Sequence, residues 1–278
     1  MLGGMHEHAD MDFQTLISAA ELADHLPRVR LLDCRARLGD PAAGRRLYLE
    51  GHIPGALHAD LDRDLAAQPG TRGRHPLPDI ADFTASCRRW GLNDQDQVVV
   101  YDDMSGAMAA RAWWMLRWLG HAHVAVLDGG LSAWQGELEQ AESEFPGGAF
   151  TARAPISRLA SVEQVMTADY DQLIDARSEE RFAGDSEPID HTAGHIPNAM
   201  CMPFNGNLDD DGRMLDTQRL TRRWADITAD TICYCGSGVT AAHNVLAIVA
   251  AGQPEPRLYA GSWSEWIEDP ARPIATGA

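Results

Sequence analysis

Residues 232–240 read Ile-Cys-Tyr-Cys-Gly-Ser-Gly-Val-Thr, and the second cysteine of that run, Cys235, is the side chain best placed for covalent chemistry. It closes a short apolar run, and the helical pattern of 239–251 begins a few residues later. Gly236 and Gly238 let the backbone between them take conformations that a Cβ forbids. A loop curled in this way turns N–H groups inward as an anion-binding nest, to which the following helix adds its N-terminal donors and partial positive charge. Gly236, Gly238, Val239 and Thr240 are therefore the expected substrate-binding backbone. A thiol in such a bowl is expected to ionise readily, and the thiolate is the nucleophile. The same bowl suits an anionic sulfur carried on that thiol, a persulfide.

The other cysteines, Cys34, Cys87, Cys201 and Cys233, read as small buried hydrophobes. Their odd total with Cys235, their low density and the absence of a leader-like N-terminus argue against a disulfide framework. No two are spaced as a zinc site, so no metal is expected. His6 and His8 read as part of a polar terminus rather than as metal ligands. His243, in the second turn of the helix after Cys235, reads as packing or solvent-facing, and Trp113, Trp114 and Trp118 as core and interdomain contacts.

The elements that must hold Cys235 occur twice. "LLDCR" at 31–35 returns as "LIDAR" at 173–177, and "EGHIPGALHADL" at 50–61 as "AGHIPNAMCMPF" at 193–204. "VVVYD" at 98–102 returns as "TICYC" at 231–235, and "DGGLSAW" at 128–134 as "AGSWSEW" at 260–266. Four matches in one order indicate a duplicated unit of about 130 residues, far too long for a solenoid repeat. A first domain over 1–145, a linker over 146–154 and a second domain over 155–278 follow, the Pro-Gly-Gly and Ala-Pro breaks marking the join.

Inside each copy, apolar runs alternate with helical stretches. Strands are expected at 29–33, 97–101, 124–127, 171–175, 231–234 and 257–259. Helices are expected at 15–25, 79–91, 107–120, 161–168, 217–226 and 239–251. The fold class is α/β: two tandem three-layer domains, each a mainly parallel sheet with helices on both faces. Ligands of such sheets bind beyond the carboxyl ends of the strands, where Cys235 lies. In the first copy "YDDMSG" stands against "YCGSG", so Asp102 takes the cysteine's place and one active site per chain is expected.

A net charge of −18 argues against nucleic acid or an anionic membrane as a partner. An acidic chain that handles an anion must gather its arginines locally. No apolar run approaches the roughly 20 residues of a membrane span, and "MLGGMHEHADMDF" lacks the basic and apolar regions of a signal peptide, so a cytoplasmic location is the expectation.

Together "GHIP" in both copies, "RAWWMLRWLG", "LDGGLSAW", "DAR", "CGSGVTA" and "SWSEW" resemble the tandem rhodanese-domain sulfurtransferases over nearly the whole chain. "CGSGVTA" is similar to the loop of the mercaptopyruvate branch. The resemblance implies a catalytically silent first domain, a site between the domains, no cofactor, and a cysteine that takes sulfur from a small donor. It then passes the sulfur to cyanide or to a thiol such as glutathione or thioredoxin. Related folds that hydrolyse phosphate esters carry Cys-x5-Arg; here Ala241 is the sixth residue after Cys235 and no arginine occurs in 236–252. Rhodanese domains without a cysteine act as binding modules, a reading that the intact loop opposes.

The resemblance also implies roles for single residues. Thiosulfate-specific relatives carry basic residues where this loop has Gly236 and Ser237, so mercaptopyruvate is favoured as donor and thiosulfate is the alternative. Ser237 would polarise the donor's carbonyl and the enolate left behind. Arg181, shortly after "DAR", would bind its carboxylate, whereas Arg177 reads as a structural ion pair. The branch's second arginine, in an "EPR" context, is replaced here by Ile189, which puts that donor in question unless another residue compensates. Some relatives imply a Ser–His–Asp relay, whose members here would be Ser237, His52 and Asp40. The favoured reading of His52, as of His195, is structural, beside the turns that Pro54 and Pro197 impose.

Overall fold

The computed structural model describes residues 12–169 and 172–277, so His6 and His8 lie outside the described residues. The first copy runs β1 (Leu16–Ile17), α1 (Ala19–His25), β2 (Val29–Asp33), α2 (Ala43–Glu50), β3 (Ala56–His58), α3 (Ile80–Arg89), β4 (Gln97–Tyr101), α4 (Ala109–Trp118), β5 (Val124–Leu127) and α5 (Gly130–Ala133). The second runs α6 (Val162–Met166), β6 (Leu173–Asp175), α7 (Glu179–Ala183), β7 (Ala199–Cys201), α8 (Thr217–Arg223), β8 (Ile232–Tyr234), α9 (Thr240–Ala250), β9 (Arg257–Leu258) and α10 (Ser262–Trp266). Every strand pairing is parallel, in the orders β1-β5-β4-β2-β3 and β7-β6-β8-β9. Among the described residues no helix is long and apolar enough to cross a membrane.

Strand alternation sorts the side chains into layers. Val98 and Val100 of β4 point into one core with Trp113 and Trp114, while Val99 and Tyr101 point into the other with Leu22. In the second copy Ile174 and Cys233 face the first of these cores, and Leu173, Ile232 and Tyr234 face Trp263 and Trp266. The first core is thus shared by both copies. Its centre is α4 against α9, two helices whose alanines (Ala109, Ala110, Ala112; Ala241, Ala242, Ala247) permit close approach. Residues 241–248 of α9 are buried all round, as a helix apolar on every face must be.

The long apolar runs became strands as expected, but three expectations need correction. The expected helix at 15–25 starts only at Ala19. Leu16 and Ile17 pair instead with Val126 and Leu127, and Ser18 begins the helix by a capping box with Glu21. The same box, Ser161 with Gln164, opens the second copy. The "GHIP" segments also each end in a three-residue strand, β3 and β7, that their Pro and Gly content hid, and α2, α5, α7 and α10 add four further helices.

Candidate active site

Cys235 follows β8 directly and is 2% exposed. Its loop is clamped from α10: Cys235 N–H donates to Ser262 Oγ (3.1 Å), and the carbonyls of Cys235 and Gly236 accept from the N–H groups of Trp263 (3.0 Å) and Ser264 (2.9 Å). Gly238 is required at its position. Its φ is +75°, and a Cβ there would lie 2.3 Å from the Ala260 carbonyl oxygen. In return its N–H reaches Cys235 Sγ at 3.1 Å. Among the described residues it is the one bowl N–H within bonding distance of the sulfur. Val239 is buried and leads into α9, whose first residue is Thr240.

The first domain completes the bowl. Ser237 Oγ lies 2.7 Å from His75 Nδ1, and His75 Nε2 lies 3.7 Å from Asp62 Oδ1. With Nε2 protonated towards that carboxylate, Nδ1 accepts from the serine hydroxyl. Arg111, fully buried on α4, donates to the carbonyls of Leu65, His75 and Gly238, so it ties the 65–75 segment to the active loop. Burial lowers Arg111 to about 10, against the pull of the Cys235 thiolate.

Three guanidiniums and three carboxylates form one chain beside the bowl. Asp175 binds Arg177 at 2.7 Å, Arg177 meets Glu187 at 3.3 Å, Glu187 binds Arg181 at 2.7 Å, Arg181 meets Asp190 at 3.2 Å, and Asp190 binds Arg74. Arg181 and Arg74 converge over Gly236: a Cβ there would lie 3.3 Å and 3.0 Å from their Nη2 atoms. Among the described residues no cluster of His, Cys, Asp and Glu could hold a metal ion.

The structure thus brings Cys235, Gly236, Ser237, Gly238 and Arg181 together, and it does not bring His52 and Asp40. His52 is buried against Tyr48, with ring centroids 3.8 Å apart, and its Nδ1 bonds the Tyr48 carbonyl oxygen. His195 makes the same pair of contacts with Phe182, so this histidine braces the turn in both copies. Asp40 is committed to Arg46. Beside Ser237 stand instead His75, within hydrogen-bond distance of its hydroxyl, and Asp62, 3.7 Å from that ring. Sequence reasoning missed Arg74, His75, Asp62 and Arg111; the available signal was the pair of basic residues in "RGRHPLP", set in an acidic chain. His243 is buried, with Nε2 on the Ser105 carbonyl oxygen. Asp102, in the cysteine's place, is fully buried and accepts N–H bonds from Met104, Gly106, Met108 and Ala109.

Burial pushes His75 down to about 4, helped by the positive charges of Arg111 and Arg74. Burial likewise pushes His243 down to about 4 and lowers His58 and His121. These rings stay neutral in the fold where the unfolded chain would already bind protons. The unfolded state then binds more protons, and stability falls as pH drops from about 6.5 towards about 4. His75 and His243 should each contribute on the order of 3 kcal/mol to that loss. Urea midpoints between pH 7 and 4.5 check this, and His75→Gln should flatten the slope. An unchanged midpoint over that range would contradict it.

Residues 18–137 and 159–269 each match the family model for the rhodanese-like domain. The chain is 48% identical over 283 residues to a probable 3-mercaptopyruvate sulfurtransferase of Pseudomonas aeruginosa, covering 96% of this chain and 100% of that protein. It is 43% identical to a putative thiosulfate sulfurtransferase of Mycobacterium tuberculosis, covering 95% and 98%. Among solved structures, that of a 3-mercaptopyruvate sulfurtransferase of Escherichia coli aligns with a TM-score of 0.77 at 32% identity, covering 90% of this chain and 99% of that one.

Proposed function

The chain belongs to the rhodanese family, as a tandem pair of rhodanese-like domains with sulfurtransferase relatives, and from that premise we propose that Cys235 carries sulfur from 3-mercaptopyruvate to cyanide or a thiol. Residues 1–145 form the silent domain in this reading, 146–154 the linker and 155–278 the catalytic domain. The observation that carries the donor assignment is the uncharged Cys-Gly-Ser-Gly loop with its serine held 2.7 Å from His75 Nδ1. A proton-handling pair of that kind serves a donor that leaves as an enolate.

The cycle has two displacements. The Cys235 thiolate attacks the donor's sulfur, the C–S bond breaks, and its electron pair goes to carbon as the pyruvate enolate. The donor's S–H proton passes to Ser237 Oγ as the serine proton moves to His75 Nδ1. The reverse transfer protonates the enolate carbon and releases pyruvate. Asp62 faces the imidazolium formed in between, and Gly238 N–H faces the sulfur. An acceptor thiolate or cyanide then attacks the outer sulfur, the S–S bond breaks, and the Cys235 thiolate returns. Glutathione and thioredoxin fit the acceptor role, and no cofactor enters. The five free cysteines suit a reducing cytoplasm.

Arg74 and Arg181 also suit the dianion thiosulfate, so the test runs both donors in parallel with cyanide as acceptor. Mercaptopyruvate is expected to exceed thiosulfate in kcat/KM by at least about tenfold. A thiosulfate preference would overturn the donor assignment and leave the Cys235 assignment standing.

A further inference from the structure

We propose that the cleft at the seam of the two domains, behind the active loop, binds a small organic cation: an amine carried on an aromatic or branched aliphatic body, with Glu265 as its counter-charge. The proposal is independent of which sulfur donor the enzyme uses.

The cleft holds about 630 Å³, within the range of small-molecule sites. One wall is the stretch that follows His75, with Leu77 and Ile80, backed by Trp118 at the end of α4. The other comes from the second domain, with Leu159, Val162 and Tyr259. Ile80 is 51% exposed and Leu159 39%, so large apolar side chains stand open to solvent on both sides of one concavity. Cys235, Ser237, Arg74 and Arg181 do not line it, so it is a place apart from the donor's bowl.

Its charge is negative. Asp79, Glu163 and Glu265 line the cleft against a single cation, Arg72. Glu265 decides the sign of the ligand. It is part-buried on α10, and its carboxylate makes no ion pair among the described residues; Arg272 pairs with Asp269 and reaches only the Glu265 backbone carbonyl. A Cβ on Gly261 would fall on Glu265 Oε2, so the carboxylate lies across a glycine that lines the cleft. Its polar neighbour is the phenol of Tyr259. Burial and then the charge of Glu265 push that phenol up, so it stays neutral and leaves the carboxylate's charge unbalanced. An unbalanced carboxylate between apolar walls attracts a cation more strongly than one in open water does. An ammonium brings three donors to it, the Trp118 ring offers the cation an aromatic face, and an apolar body covers Leu77, Ile80 and Leu159. The walls also carry parts of the active site on their far side. Ser262, Trp263 and Ser264, which hold the active loop, precede Glu265 on α10, and His75 precedes the Leu77 stretch.

The test titrates phenethylamine into the full-length enzyme by ligand-observed NMR, beside 2-phenylethanol, which lacks the charge, and ethylamine, which lacks the ring. Phenethylamine is expected to bind with a Kd of about 1 mM or tighter, and each of the other two at least about tenfold more weakly. Glu265→Gln should weaken the amine by at least about tenfold and leave the alcohol within about twofold. Ile80→Asn, at an exposed position, should weaken the amine by at least about threefold. Saturating pyruvate, which occupies the bowl, should leave the amine's affinity unchanged. If Glu265→Gln does not fold, the three ligands and Ile80→Asn still decide. No binding of phenethylamine, equal binding of amine and alcohol, or full binding in either variant would overturn the proposal. Displacement of the amine by pyruvate would overturn it too, by placing the amine among the acids of the bowl, and would leave the sulfurtransferase reading untouched.

Discussion

Cys235→Ser is expected to lower sulfur transfer by about 10⁴-fold or more and to abolish the sulfur-loaded enzyme. A serine hydroxyl is too weak an acid and too hard a nucleophile to accept sulfane sulfur at neutral pH. No other thiol can substitute. Burial pushes the Cys87 and Cys233 thiols far up, Cys34 is raised by burial and by the carboxylate of Asp33, and Cys201 is raised to about 11. The decisive measurement uses donor without acceptor. Wild type should release one equivalent of pyruvate in a burst, and mass spectrometry should place one extra sulfur on the peptide holding Cys235. A variant retaining a tenth of the activity would remove this thiol from the mechanism.

The second large effect concerns the proton. Ser237→Ala and His75→Gln should each lower kcat with mercaptopyruvate by about 10²- to 10³-fold. Thiosulfate leaves as sulfite and needs neither a thiol proton moved nor an enolate stabilised, so its turnover should fall by less than about tenfold. The double variant should be little worse than either single one, because two members of one relay act as a unit. Additive losses would mean that serine and histidine act separately. Equal losses on both donors would mean that the pair merely shapes the loop.

The sequence disclosed the parts of this site that are contiguous. The strand, Cys235, the two glycines and the start of α9 lie within twenty residues, and the backbone chemistry of each is local. The duplication was equally legible, since both copies must build the same layers. What could not be read is what folding brings from the other domain. His75 meets Ser237 across 162 residues of chain and Arg74 meets Asp190 across 116, from a loop with no periodicity to place it. The "GHIP" histidine is structural, as its place beside the turn of Pro54 favours. Its repetition had a local cause: His52 and His195 stack on Tyr48 and Phe182 and brace a turn that both copies need.

The first domain's loop now has a different meaning. Asp102 sits where the second domain has its thiol, ringed by the four N–H groups of Met104, Gly106, Met108 and Ala109. That carboxyl group is a tethered occupant, permanently installed in the cradle. It excludes any visiting donor from the first domain, and it satisfies the N–H groups that a vacant cradle would bury unpaired. The duplicated chain has in effect corked one of its two cradles from within.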